Sequence, residues 1–311
     1  MTEAIALMRD AFVLLSEGRV NAPVRTSVPL TEHDDGRALF MPVYSPSHGR
    51  TCLKAVIVHP NNDARGLPFI HALVLVSDAT TGAPLAIIDG EALTALRTGA
   101  GAGLATDVLA RQDATVVAIF GAGVQARTQL EAVCAVRSIH TAYVFGRRQG
   151  RAQAFAHEMT ERLGIDVRVA TSAPQLRECD IICTATTSLS PVFAHRDVKT
   201  GCHINGVGSY RPDMTEIPAD TVRTSVVVVD QREACLEEAG DIILPIREGI
   251  ITEDHIHGEL GEVVAGQRPG RTSDTEITFF KSVGNAVQDL VVASRLADLA
   301  EAHDWGLQAR L

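Results

Sequence analysis

The sequence predicts an α/β protein with two parts. Residues 106–289 form a doubly wound parallel sheet, and residues 1–105 with 290–311 form a smaller α/β unit. Three observations lead there. Beyond residue 113, short apolar segments alternate with helical ones, the pattern of βαβ units. Before it, four strand-like runs follow one another closely, as in an antiparallel sheet. Aromatic residues make up only 4% of the chain while Ala, Val, Leu and Gly abound, which suits packed parallel strands and helices better than an aromatic-rich sandwich.

Residues 2–17 place Ile5, Met8, Phe12 and Leu15 on one helical face, with Gly18 as a stop. Strands are expected at 38–45, 52–60, 70–78 and 84–89, the last two joined by the turn sequence ATTGA. Asp89 then caps a helix rich in small residues, "GEALTALRTGAGAGLATDVLA". A buried strand at 114–120 leads into a turn and helix, "GAGVQARTQLEAVCAV". A second strand at 141–146 leads into a helix at 149–164. "DVRVA", "CDIICTAT", "CHINGVG" and "SVVVVD" supply further short strands. A closing helix at about 283–302 is apolar around much of its circumference, the mark of a buried helix.

The 311 residues exceed one small core, and 46% hydrophobic with 21% charged residues is ordinary for a soluble globular enzyme. A formal charge of −10 repels polyphosphate, so no nucleic-acid partner is expected. The six cysteines form no CxxC pair and fit a reduced, cytoplasmic setting. The first residues lack a basic n-region, and no apolar run approaches the ~20 residues of a bilayer span, so no membrane association is expected.

The strand at 114–120 ends in Gly121-x-Gly123-x-x-Ala126 at the start of a helix. In strand–turn–helix context this is a dinucleotide fingerprint of the Rossmann type. Gly121 makes the tight turn, Gly123 lets a pyrophosphate approach, and Ala126 keeps helix and strand close. Free N–H groups at Ala122, Val124 and Gln125 would then face the phosphates. Where an NAD site has an acid to hold the ribose hydroxyls, the second strand runs into Gly146, Arg147 and Arg148. Two guanidiniums suit a 2′-phosphate, so NADPH is preferred, with NADH possible; solvated helix-start arginines are the alternative. Thr186 and Thr187, in "CTATTS", face the cofactor or act as turn threonines bonding their own backbone.

Lys54 interrupts an apolar strand, Arg97 lies in a helix of small residues, and Arg25 sits beside a proline-flanked run. Singly, each is an ordinary solvated or paired residue; as a set they are suited to a carboxylate. His255, His257 and Glu259 lack a second ligand pair, so no metal is expected. There is neither a GxSxG elbow nor a P-loop, which removes the hydrolase and NTPase readings.

"FMPVYS", "LKAVIVHP", "DGEALTALRTGAGAGLAT", "IFGAGVQA", "TATTSLSPVF", "INGVGSYRPDMTE" and "HGELGEVVAGQRPGRTSDTEITFFKSVGNAVQD" occur in one order over nearly the whole chain. In this the sequence resembles the ornithine cyclodeaminase/μ-crystallin family. The resemblance implies a homodimer, a Rossmann domain for NAD(P) at 106–289, and a substrate-binding and dimerisation domain at 1–105 with 290–311. It implies that Arg25, Lys54, Arg97 and Tyr210 contact the substrate, with Lys54 and Arg97 catalytic. The cofactor would meet Arg97, Thr98, Gly121, Ala122, Gly123, Val124, Gln125, Gly146, Arg147, Arg148, Thr186, Thr187, Val207 and Gly208. Cyclodeaminases of the family carry an aspartate at the position of Tyr210 and a glutamate near Leu39. Both are missing here, and Asp213 lies three residues on, past a proline. That pattern resembles the branch reducing Δ1-pyrroline-2-carboxylate and its six-membered analogue. Ornithine cyclodeaminase, amino-acid dehydrogenase and an NADPH-dependent binding protein without turnover are the alternatives. The proton donor to the product nitrogen is open, with His71 and water as candidates.

Overall fold

The computed structural model describes residues 1–30 and 36–309; the end of the expected 290–311 segment, residues 310–311, lies outside the described residues. The chain forms two compact units, residues 1–16 with 98–284 and residues 17–97 with 285–311.

The second unit is built on an antiparallel meander of five strands in sequence order. These are β1 (Thr26–Leu30), β2 (Gly36–Ser45), β3 (Arg50–Val58), β4 (Ile70–Asp78) and β5 (Pro84–Asp89). β1 has no counterpart among the expected strands. The β4–β5 turn forms where ATTGA predicted it: Asp78 Oδ1 accepts from the Thr80 and Thr81 amides, and Gly82 takes φ 76°. Alternation divides the sheet into two faces. Met41, Val43, Cys52, Lys54, Val56, Val74 and Val76 are buried on one, and the closing helix of the chain packs across these strands. That helix, Ala286–His303, is buried from Ala286 to Ser294 and increasingly exposed after it. The other face leaves Phe40, Tyr44, Leu53, Leu73 and Ile87 exposed.

The first unit is an eight-stranded sheet in the order β12-β11-β13-β10-β9-β6-β7-β8 with every pair parallel. Its strands are β6 (Val116–Phe120), β7 (Thr141–Phe145), β8 (Asp166–Val169), β9 (Ile181–Thr184), β10 (His203–Gly206), β11 (Ser225–Val229), β12 (Ile256–Glu259) and β13 (Ile277–Lys281). The helices of the chain are α1 (Thr2–Ser16), α2 (Gly90–Leu109), α3 (Val124–Val136), α4 (Gln149–Leu163), α5 (Ala219–Thr224), α6 (Arg232–Glu238), α7 (Gly240–Arg247), α8 (Leu260–Val264) and the closing α9. As the sequence indicated, Asp89 caps α2, its Oδ1 accepting from the Glu91 and Ala92 amides at 2.7 and 3.1 Å.

Apolar residues from the two faces of the parallel sheet form its core. Ile119, Leu130, Phe155 and Met159 pack on one side, and Phe120, Ile204, Val227 and Phe279 on the other. β12 and β13 have no counterpart among the expected strands. "ITFFK" is only five residues long, and its central place in the sheet comes from pairing with β10 and β11.

The contact division departs from the expected 1–105 unit at its start, because α1 packs with residues 98–284. Gly261 at the start of α8 lies so close to α1 that a Cβ there would come within 2.0 Å of Phe12 O. Phe12 also meets Phe280 edge-on at 6.3 Å. The helical face read from the sequence is therefore real, and its partner lies far along the chain.

Candidate functional site

The fingerprint turn adopts the conformation its glycines predict. Gly121 has φ 105°, and its N–H donates to Phe145 O at 2.9 Å, tying the end of β6 to the end of β7. A Cβ at Gly121 would come within 2.6 Å of Ala185 O, so only glycine allows that approach. Gly123 is the N-cap of α3 and has open space where a Cβ would stand. No side chain caps α3, its first turn carries no acid, and Gln125 Oε1 is buried without a partner. Open amides, an open approach and an orphaned acceptor fit a dinucleotide pyrophosphate and its ribose. Ala126 is fully buried at the helix–strand contact.

β7 ends at Phe145, followed by exposed Gly146, Arg147 and Arg148, with Arg148 the N-cap of α4. No carboxylate intervenes. Thr187 is exposed, while the Thr186 hydroxyl accepts from the Ser188 amide at 3.2 Å, the turn role weighed as the alternative for it. Val207 and Gly208 follow β10 and are half-buried, as is Tyr210. Asp213 is exposed and paired with Arg211, whose Nε donates to it at 2.9 Å.

In the other unit, Lys54 and Arg97 converge on a residue the sequence reading did not single out. Lys54 Nζ lies 2.6 Å from Asp289 Oδ2, and Arg97 Nε donates to Asp289 Oδ1 at 3.1 Å. Arg97 Nη1 donates to Gln288 Oε1 at 2.9 Å. All four residues are buried. Both acceptors sit in the first turn of α9, which Asn285 caps by accepting from the Val287 amide at 2.9 Å. Half-buried Arg25 adds its field to Lys54. Burial, then Arg97, pushes the Lys54 ammonium down to about 8 against the opposing pull of Asp289. Two buried cations on one buried carboxylate leave a surplus of positive charge. A buried cationic surplus is costly unless an anion joins it. "QD" inside an apolar helix was the available signal, because a carboxylate there needs a counter-charge.

Leu39 pairs with Val56 and lies on the same face of the sheet as Met41 and Lys54, an apolar side chain near the position where the family resemblance implies a glutamate in cyclodeaminases. His71 pairs with Ile57 and Lys54 with Val74, so His71 lies on the opposite face of the sheet from Lys54. His255 and His257 approach separate carbonyls, Val222 O at 2.9 Å and Pro269 O at 3.0 Å, while Glu259 accepts from Ser16 and Arg232. Burial pushes the Cys52, Cys134, Cys179 and Cys183 thiols up to about 12, away from nucleophilic use.

A glycine turn opening onto an uncapped helix, on a parallel sheet wound to both sides, defines a Rossmann-type dinucleotide-binding protein. The second unit adds a buried, carboxylate-bridged cation group to that class. The profile of the ornithine cyclodeaminase/mu-crystallin family matches residues 1–304, and the chain belongs to that family. A Delta(1)-pyrroline-2-carboxylate reductase of Bacillus cereus is 42% identical over 302 residues, covering 96% of this chain and 92% of that protein. The structure of Thermococcus litoralis Delta(1)-pyrroline-2-carboxylate reductase with NADH and L-proline superposes with a TM-score of 0.96 at 43% identity, over 99% of this chain and 96% of that one. An archaeal alanine dehydrogenase dimer with bound NAD superposes at 0.93 with 34% identity, over 100% of this chain and 94% of that one.

Proposed function

We propose that the protein reduces cyclic imino acids with NAD(P)H, taking Δ1-pyrroline-2-carboxylate to L-proline and the six-membered analogue to L-pipecolate. The observation that carries this reading is the cation surplus around Asp289, which matches one α-carboxylate. Arg25, Lys54 and Arg97 hold that carboxylate by charge-assisted hydrogen bonds, and Tyr210 contributes to the substrate contacts. The nicotinamide, when bound, supplies hydride to the C=N carbon. A protonated imine is already an electrophile, so reduction needs position more than a base. Position is what the Asp289 bridge provides, by locking the rotamers of Lys54 and Arg97. The apolar Leu39 and the arginine-bound Asp213 are consistent with reduction and poorly suited to ornithine cyclisation, which requires a carboxylate base.

The turns at 121–125, 146–148, 186–187 and 207–208, with Arg97 and Thr98, make up the proposed cofactor contacts. Arg147 and Arg148 favour NADPH over NADH. The exposed apolar face with Phe40, Tyr44, Leu53, Leu73 and Ile87 is the proposed dimer face, in a substrate-binding and dimerisation domain. Purified protein given NADPH and the pyrroline acid is expected to consume the nicotinamide absorbance; no loss with either cofactor and either ring size overturns the proposal. The likeness to an alanine dehydrogenase supports a second reading, oxidative deamination of a small amino acid, which NADH formation from alanine would reveal.

A further inference from the structure

We propose that Glu216 is a positioning residue for dinucleotide binding, its buried carboxylate clamping together the turns that follow β9 and β10. The inference rests on the dinucleotide reading of this unit and is independent of the substrate.

Glu216 has no exposed surface. Its Oε2 accepts from Thr184 Oγ1 at 2.8 Å and from the Gly208 amide at 2.7 Å, and its Oε1 accepts from the Thr186 amide at 2.6 Å. The three donors lie at the C-terminal ends of β9 and β10, the strands that continue the sheet from the fingerprint strand β6. Backbone lies against backbone here. A Cβ at Gly208 would come within 2.3 Å of Thr186 O, and one at Gly121 within 2.6 Å of Ala185 O. A shift of residues 184–186 therefore moves the wall against which the Gly121 turn is set.

Glu216 is itself held. Its amide and that of Ile217 donate to Asp241 Oδ1 at 2.7 and 3.0 Å. Lys281 Nζ lies 3.1 Å from Asp241 Oδ2 and donates to Gly206 O at 3.2 Å. Three donors on two oxygens suit an ionised carboxylate, and an amide would turn a donor toward Thr184 and Gly208 or toward Thr186. The residue lies beneath the turns and serves the cofactor through them.

Glu216→Gln is expected to weaken NADH and NADPH binding alike, roughly tenfold by calorimetric titration, with kcat at saturating cofactor and the KM for the imino acid unchanged. Thr184→Val, which keeps the carboxylate and removes one donor, is expected to weaken both about threefold. Val228→Ala, a buried truncation in β11, serves as the stability control and should leave both dissociation constants unaltered. Wild-type affinity in both Glu216→Gln and Thr184→Val, or equal weakening by Val228→Ala, overturns the inference while the dinucleotide reading stands. If Glu216→Gln does not fold, Thr184→Val alone decides. A wild-type protein that binds neither dinucleotide overturns both.

Discussion

Two buried charge groups in this protein look alike in composition and differ in sign. In one unit, Lys54 and Arg97 share Asp289; in the other, Lys281 pairs with Asp241 and its charge also acts on Glu216. The first has more positive charge than its carboxylate can match. The second has more negative charge than its lysine matches, but backbone amides and hydroxyls supply the remaining donors. Burial and Asp241 still push the Glu216 carboxyl up. The lesson is that burial of charge alone does not mark a ligand site. A site is marked by charge that the protein's own groups leave uncompensated.

The largest effects should separate the two groups. Lys54→Met removes a cation of the proposed substrate site and leaves Arg97 on Asp289, so kcat/KM for the imino acid should fall about 10²–10³-fold in steady-state assays with little loss of stability. Lys281→Met strands two buried carboxylates and should cost about 3–5 kcal/mol in denaturant unfolding. Equal stability losses in the two variants would break the comparison.

The next effect is a pH dependence with opposite signs in binding and stability. The folded pKa of Lys54 is lowered to about 8 from its ordinary 10.5. Above about 8 the folded state gives up the proton, so imino acid affinity should fall as pH rises. Between the two values the unfolded chain binds the proton and the folded chain does not, so conformational stability should rise over the same window. Product binding and thermal unfolding, each followed from pH 7 to 10, check the two signs separately. Asp289→Asn removes the one group named here that raises the Lys54 pKa, and should move the alkaline limb of binding to lower pH.

The smallest effect belongs to cations that are exposed. Arg147→Ala with Arg148→Ala should narrow the proposed NADPH-over-NADH preference by roughly tenfold or less, because water screens both side chains. An unchanged ratio of dissociation constants would remove these arginines from cofactor choice.

Much of the fold was legible in local pattern. The fingerprint at Gly121, the α2 cap at Asp89, the turn at Asp78 and the strand–helix alternation after residue 113 are all set by neighbours within a few residues. β12 and β13 were not legible, since they are short and owe their state to parallel partners distant in sequence. Lys54 and Arg97 stood out as charges in apolar company. Their shared partner Asp289 did not, because its meaning depends on residues 192 or more positions away.

The sequence by itself determined the dinucleotide turn and the cation candidates, because each depends on residue type within a local pattern, and the family resemblance added the carboxylates missing near Leu39 and at Tyr210. Only the tertiary structure decided which charges meet. It put Lys54 and Arg97 on Asp289, set Glu216 under the turns after β9 and β10, and turned His71 to the opposite face from Lys54. The physical reason is range: helix caps and glycine turns are settled over a few residues, whereas the balance of buried charge is settled only when distant segments are packed together.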